Sequence, residues 1–174
     1  MTILGACQSD RADFAAAETT LRSAIEELAA AGDARWPAYA LSFQARLESQ
    51  LETGETRAAS RTFDEAYALA REIDDPCWLA VSLRGMALVA QREGDPTRAL
   101  GLLEDGLRRA REQPDSYVWA EAIILTDLVS LQRGGDRRHV DDATRIVTRG
   151  PMPDLAARLA AATATQTPGQ TERR

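Results

Sequence analysis

Residues 78–112, WLAVSLRGMALVAQREGDPTRALGLLEDGLRRARE, form the most regular stretch of the chain and determine the predicted fold. On both sides of Gly94-Asp95-Pro96, apolar and small residues recur three and four positions apart, which places them on one face of an α-helix. Glycine commonly ends a helix, and an N-capping Asp followed by Pro commonly begins one. The stretch therefore predicts two amphipathic helices joined by a tight turn.

The same pattern recurs upstream and downstream at a nearly constant spacing. The turn glycines Gly54, Gly94 and Gly135 are 40 and 41 residues apart, and the tryptophans Trp36, Trp78 and Trp119 are 42 and 41 residues apart. Periods in this range are typical of solenoids, in which each helical hairpin buries its apolar face against its neighbours. We therefore predict an all-α fold, a right-handed α-α superhelix of about three and a half hairpins.

Capping residues, helix breakers and apolar periodicity together predict where the helices lie. They are expected at about residues 13–31, 34–53, 56–72, 76–92, 96–112, 117–133, 137–148 and 154–162. The helix at 117–133 is the most apolar, as expected for a helix that is covered on more than one side. We predict one helical repeat domain over residues 1–166 and a disordered tail over 167–174, which has nothing to bury.

Composition and charge argue against several classes of function. The formal net charge of -6 disfavours a nucleic-acid-binding surface, because it repels phosphate. Two cysteines and one histidine, without metal-ligand spacing, predict neither a disulfide framework nor a metal site. Without lysine the chain cannot build a Walker-type nucleotide site. No signal peptide or membrane-spanning stretch is evident, so we expect a soluble cytoplasmic protein.

A family resemblance rests on three groups of residues: Leu83-x-x-Met86-Ala87-x-x-Ala90, Gly94-Asp95, and Ala99-x-x-x-Leu103-x-x-Gly106-Leu107. They resemble the tetratricopeptide repeat (TPR), and similar residues extend the resemblance over about residues 12–147. The period is longer than the usual 34 or so residues, and Leu47 and Leu128 stand where a small residue is usual. HEAT-like packing is therefore the alternative arrangement.

The order of motifs from GDP to the weak C-terminal hairpin also resembles the helical-repeat region of large bacterial ATPase-type transcriptional regulators. That resemblance implies a sensor or partner-binding module. Neither a DNA-binding domain nor a nucleotide-binding ATPase module is predicted in this sequence. We expect no enzymatic activity, no cofactor and no direct contact with nucleic acid or membrane.

Helical arrays usually present the first helix of each hairpin on their concave side, so residues off the core stripe of those helices would line a groove. The candidates are Gln44, Glu48, Arg84, Leu88, Gln91, Leu125, Val129 and Gln132. A groove that mixes Arg, Gln and apolar side chains suits an extended peptide or a helix. The predicted function is non-catalytic binding of a protein or peptide partner. Self-association of the chain into a homo-oligomeric scaffold, through apolar faces at 1–9 and at the last hairpin, is the alternative.

Other residues have two interpretations each. The three tryptophans either grip a ligand as an aromatic ladder or seal the junctions between hairpins, and sealing is favoured because aromatic residues are usually buried. The acidic pairs are Glu26-Glu27, Asp64-Glu65, Glu104-Asp105 and Asp141-Asp142. Adjacent positions diverge by about 100° on a helix, so a solvated outer surface is favoured over an acid–base dyad.

Cys77, at a predicted helix start, is a candidate for a thiol with a lowered pKa. We favour simple packing for this residue. His139 lies without any ligand-spaced companion.

Overall fold

We analysed a computed structural model, which describes residues 13–32, 41, 44, 56–112, 118–132 and 136–164. The regular elements of this part of the chain are all α-helices: α1 (Phe14–Ala30), α2 (Thr56–Glu72), α3 (Pro76–Arg92), α4 (Pro96–Ala110), α5 (Val118–Leu131), α6 (Arg137–Arg149) and α7 (Pro153–Ala164). No strand occurs among these residues. The all-α prediction is confirmed.

The boundaries of these seven helices agree with the predicted ones to within two residues. Of the helix predicted at 34–53, only Leu41 and Gln44 are described, and both are helical. The rest of that helix, Trp36, Glu48, residues 1–9 and the predicted tail lie outside the described residues. No described helix combines the length and the apolar character that a bilayer crossing needs.

The junctions α2–α3 and α3–α4 have the same geometry. Each begins with a residue at positive φ, Asp74 at 51° and Gly94 at 79°. The next residue then donates its backbone N–H five positions back, from Asp75 to Ala70 O at 3.0 Å and from Asp95 to Ala90 O at 2.9 Å. This pattern is the Schellman motif that ends helices.

The same two aspartates also begin the next helix. Asp75 Oδ1 accepts from Cys77 N at 3.0 Å and from Trp78 N at 3.2 Å, and Asp95 Oδ1 accepts from Arg98 N at 2.9 Å. A proline follows each aspartate at the first helical position, where its missing N–H costs nothing. One residue thus ends one helix and caps the next, which makes both turns as short as the sequence predicted.

The chain divides into two compact units, unit 1 (Met1–Arg109) and unit 2 (Ala110–Arg174). In unit 1, α2 packs against α3. The sequence pattern, with apolar and small residues three and four positions apart, predicts one core-facing side for each helix. The residues of these faces that are buried are Ala17, Leu21, Ala24, Ala59, Phe63, Ala66, Ala70, Leu79, Leu83, Ala87, Ala90, Ala99, Leu103 and Leu107. Ile25, Leu28, Tyr67 and Met86, which were predicted on the same faces, are half-buried. The predicted helix faces of this unit are confirmed at the buried positions.

Phe63 is the centre of the α2–α3 contact. It is 2% exposed and clusters with Ala59 of its own helix and with Val89 of α3. Its ring lies directly over Gly85, where an added Cβ would stand 1.9 Å from Phe63 Cε1. The absence of a side chain at Gly85 is what allows the ring to lie against the backbone of α3.

In unit 2, α5 packs against both α6 and α7, and α6 packs against α7. This double contact agrees with the prediction that the most apolar helix is covered on more than one side. Ile124, Leu125 and Leu128 of α5 are all fully buried. Asp127 lies among them at 4% exposure and is bonded at 2.5 Å to Arg158 Nη2 of α7. An ion pair between α5 and α7 thus adds to the apolar contacts that hold α7 in the bundle.

Candidate binding surfaces

One side of α3 forms a partly open stripe, which we call the α3 stripe, made of Val81, Arg84, Leu88 and Gln91. All four residues are half-buried. They are three, four and three positions apart, so they follow one face of the helix. The sequence predicted Arg84, Leu88 and Gln91 as groove residues. It missed Val81, although that residue lies one turn before Arg84.

The α3 stripe lies on a well-supported helix. Gly85, next to Arg84 in sequence, is covered by Phe63 of α2. Leu83, Ala87 and Ala90 on the opposite flank are buried. Side chains of the α3 stripe are therefore held by a helix that cannot rotate without opening its own core. A rigid stripe that mixes one guanidinium, one amide and two aliphatic groups suits recognition of a peptide or helix.

The groove residues predicted in α5 are in a different environment. Leu125 is 0% exposed and Val129 is 1% exposed, so both belong to the core and not to an open groove. The reason is that apolar residues predominate around α5, which packs against two helices of its own unit. Gln132 is half-buried, and its Oε1 lies 3.2 Å from His139 Nδ1.

In unit 1, the predicted groove residue Gln44 is helical and half-buried. Glu48 lies outside the described residues. Of the groove predicted along three hairpins, only the segment on α3 is seen as a row of partly exposed residues in the described part of the chain.

Unit 2 contains an open cleft of about 600 Å³, which the sequence did not predict. We call it the arginine cleft. It is lined by Arg111, Val118, Glu121, Asp142, Arg145, Ile146, Arg149 and Gly150. Volumes of this order are typical of small-ligand sites. Three guanidinium groups face two carboxylates, so the lining carries one excess positive charge.

Two arginines of the cleft are engaged in ion pairs. Arg111 Nε lies 2.7 Å from Glu121 Oε1, and Arg111 Nη2 lies 2.6 Å from Asp142 Oδ2. Arg145 pairs with the other oxygen of Asp142. Arg111 therefore joins the start of α5 to the middle of α6, and Asp142 is shared by two guanidinium groups.

These contacts shift two pKa values. Partial burial alone would raise the pKa of Asp142, but hydrogen bonds and charge from Arg145 and Arg111 outweigh it and hold that pKa below its usual value. Burial likewise opposes the charged form of Arg111, yet bonds to Glu121 and Asp142 raise its pKa. Asp142 and Arg111 are therefore both charged at neutral pH.

Arg149 differs from the other two arginines of the cleft. Among the residues that the structure describes, it has no ion-pair or hydrogen-bond partner for its guanidinium. The apolar part of the cleft is Val118 and Ile146, and Val118 remains 38% exposed. The cleft thus places one uncompensated cation next to an apolar wall, of which Val118 is the accessible part and Ile146 is 8% exposed.

The structure changes the interpretation of two other residues. Cys77 is fully buried, and burial, followed by the nearby charge of Asp75, raises the pKa of its thiol to about 12. The interpretation of Cys77 as a thiol with a lowered pKa is therefore wrong, because its loss of solvation outweighs any stabilisation of the thiolate by the helix start.

The acidic pair Asp141-Asp142 is divided between two environments. Asp142 is 29% exposed and doubly paired, whereas Asp141 beside it is 70% exposed. Of this pair only Asp141 fits the predicted solvated surface, whereas the other three acidic pairs are exposed as predicted.

Two of the three tryptophans lie in the described part of the chain. Trp78 is half-buried, and Trp119 is 42% exposed, which is large for an indole expected to seal a junction. Within the described ranges, no three His, Cys, Asp or Glu side chains are grouped as they would be to hold a metal ion. Trp36, the remaining tryptophan, lies outside the described residues.

Comparison of the chain with protein-family models, with curated proteins and with solved structures finds no match.

Proposed function

We propose that the chain is a TPR-like helical repeat module of the cytoplasm that binds a protein or peptide without catalysing a reaction. The observation that carries this proposal is the α3 stripe, with Arg84, Leu88 and Gln91 half-buried in a row on a helix fixed by Phe63. Leu88 and Val81 offer apolar area to a partner, while Arg84 and Gln91 offer hydrogen-bond donors that set its register. The resemblance to bacterial regulators suggests a sensor or regulatory role for this binding.

The repeated α2–α3 and α3–α4 junctions support a solenoid arrangement. Each uses the same Schellman turn and the same capping aspartate before proline. Successive helices joined by equivalent turns produce a regular stack, which is how TPR-like arrays create long binding surfaces. The α3 stripe would be one segment of such a surface.

Self-association is the second candidate function. Val118 and Trp119 are the exposed large hydrophobic residues at the start of α5, at 38% and 42% exposure. Tryptophan is enriched in contact sites between proteins relative to the rest of the surface. Light scattering over a range of concentrations tests this candidate, and a strict monomer contradicts it.

Peptide selection from a displayed random library on the full chain tests the binding proposal. The affinity of a selected peptide is then measured by fluorescence anisotropy for the wild type and for Arg84→Glu. We expect at least an about tenfold loss, because interface arginines often contribute more than about 1 kcal/mol and a reversed charge also repels.

Arg57→Glu is the matched control, since Arg57 is an exposed arginine of α2 and is not a residue of the α3 stripe. It should bind like the wild type, and both variants should keep the melting temperature. Failure to select any peptide, or equal binding by wild type and Arg84→Glu, contradicts the proposal.

A further inference from the structure

The arginine cleft lies in unit 2 and shares no residue with the α3 stripe. We propose that it is a binding site for a singly charged carboxylate ligand that carries an apolar group, with Arg149 as the anion-binding residue. The lining offers one group for the carboxylate and another for the apolar part of such a ligand. Arg149 provides the guanidinium, and Val118 and Ile146 provide the apolar wall.

The charge balance of the cleft selects the kind of anion. Glu121 and Asp142 neutralise two of the three arginines through the contacts of Arg111 and Arg145. One positive charge remains, on Arg149, and a single carboxylate neutralises it. A phosphate monoester carries about two charges at neutral pH, so its second charge would face Glu121 and Asp142 without a partner. A carboxylate also matches the planar fork of a guanidinium.

The ion pairs hold the cleft in its open geometry before a ligand binds. Arg111 is bonded to Glu121 on α5 and to Asp142 on α6, so it fixes the two walls relative to each other. The charge of Arg145 is already balanced by Asp142, which it contacts. Arg149, one turn further along α6, carries a charge that no described carboxylate pairs with. The other two arginines are positioning residues in this arrangement.

The binding test uses hexanoate and its neutral isostere hexanamide as probes. Each is titrated into the full isotope-labelled chain, and backbone amide signals are followed by NMR. We expect hexanoate to shift the signals of Val118, Arg149 and Gly150 before any others, with weak but saturable binding. Hexanamide should bind at least about tenfold more weakly, because it lacks the charge that makes such a hydrogen bond strong.

Arg149→Gln is the decisive variant, and Arg137→Gln is its control. Arg137 lies on the same helix, is 93% exposed and is not part of the cleft. Arg149→Gln should lower hexanoate affinity at least about tenfold and leave hexanamide affinity unchanged, whereas Arg137→Gln should change neither. Circular dichroism verifies that both variants remain folded, which their exposed positions favour.

Three results would overturn the proposal: no saturable hexanoate binding at millimolar concentration, equal binding of acid and amide, or equal effects of the two variants. A capped Leu-Glu dipeptide amide identifies the source of the carboxylate. Tighter binding than hexanoate assigns the site to a segment of a peptide or protein, and weaker binding assigns it to a small carboxylic acid. Both results support the carboxylate chemistry.

Discussion

Phe63 in unit 1 and Asp127 in unit 2 are almost equally buried, at 2% and 4% exposure, but they are held in different ways. Phe63 lies over Gly85 and between small apolar residues. Asp127 is bonded to Arg158, which is 31 positions further along the chain. The α2–α3 pair thus depends on steric fit, whereas the unit 2 bundle adds ion pairs to its apolar contacts. The two regions should therefore fail under different perturbations.

The largest effect is expected when the steric fit of unit 1 is broken. In Gly85→Ala, the new methyl group would lie 1.9 Å from Phe63 Cε1. The ring is buried and cannot swing away without opening a cavity, so we expect a loss of about 3 kcal/mol in the free energy of unfolding. Urea unfolding followed by circular dichroism measures this loss.

Gly101→Ala is the matched control, because Gly101 is an exposed helical glycine with open space around its Cα. Alanine there should stabilise the protein by about 0.5–1 kcal/mol through its helix propensity. In a Phe63→Leu background, Gly85→Ala should cost less than in the wild type. Equal costs in both backgrounds would show that the ring does not determine the role of Gly85.

The next effect should appear when the charged contact of unit 2 is broken. Arg158→Ala removes the guanidinium from Asp127, whose carboxylate then stays buried without that bond. Breaking a buried pair typically costs about 3–5 kcal/mol. Arg158 is itself 45% exposed and partly screened by water, so we expect about 2 kcal/mol by urea unfolding.

Two comparisons identify the cause of that loss. Arg137→Ala, at an arginine that is 93% exposed, should change stability by less than about 0.5 kcal/mol. Replacing both partners, as Asp127→Leu with Arg158→Leu, should recover much of the loss, because no charge is then left buried. A double variant as unstable as Arg158→Ala would show that packing by the aliphatic part of Arg158, and not its charge, stabilises the position of α7.

Local features of the sequence predicted most of the helical structure. Helix boundaries follow from capping residues such as Asp75 and Asp95, whose effects extend only a few positions. Core faces follow from periodicity, and Leu103 is fully buried as that pattern requires. The amphipathic helices of unit 1 were therefore predictable in both position and orientation.

The features that sequence reasoning missed depend on contacts between distant residues. Gly85 looks like any other helical glycine until Phe63, 22 positions earlier, is placed over it. The arginine cleft depends on Arg111 reaching Asp142, 31 positions away. Leu125 and Val129 were predicted to line a groove because they lie 41 positions after Arg84 and Leu88, at the equivalent places of the next hairpin. A uniformly apolar helix, however, has no periodic signal to show which side is covered.

The smallest effect should come from the pH dependence of the arginine cleft. The pKa of Asp142 is lowered in the folded chain, so its charged form stabilises the fold. That contribution is fully present above the unfolded-state pKa of about 4 and is lost as pH falls through the lower folded value. The stability difference between the wild type and Asp142→Asn, measured by urea unfolding, should therefore shrink below about pH 4. Asp141→Asn changes a neighbouring carboxylate that is 70% exposed and should show little difference at any pH. A difference for Asp142→Asn that stays constant into strong acid would mean that the lost hydrogen-bond geometry, and not the charge shared with Arg111 and Arg145, stabilises the cleft.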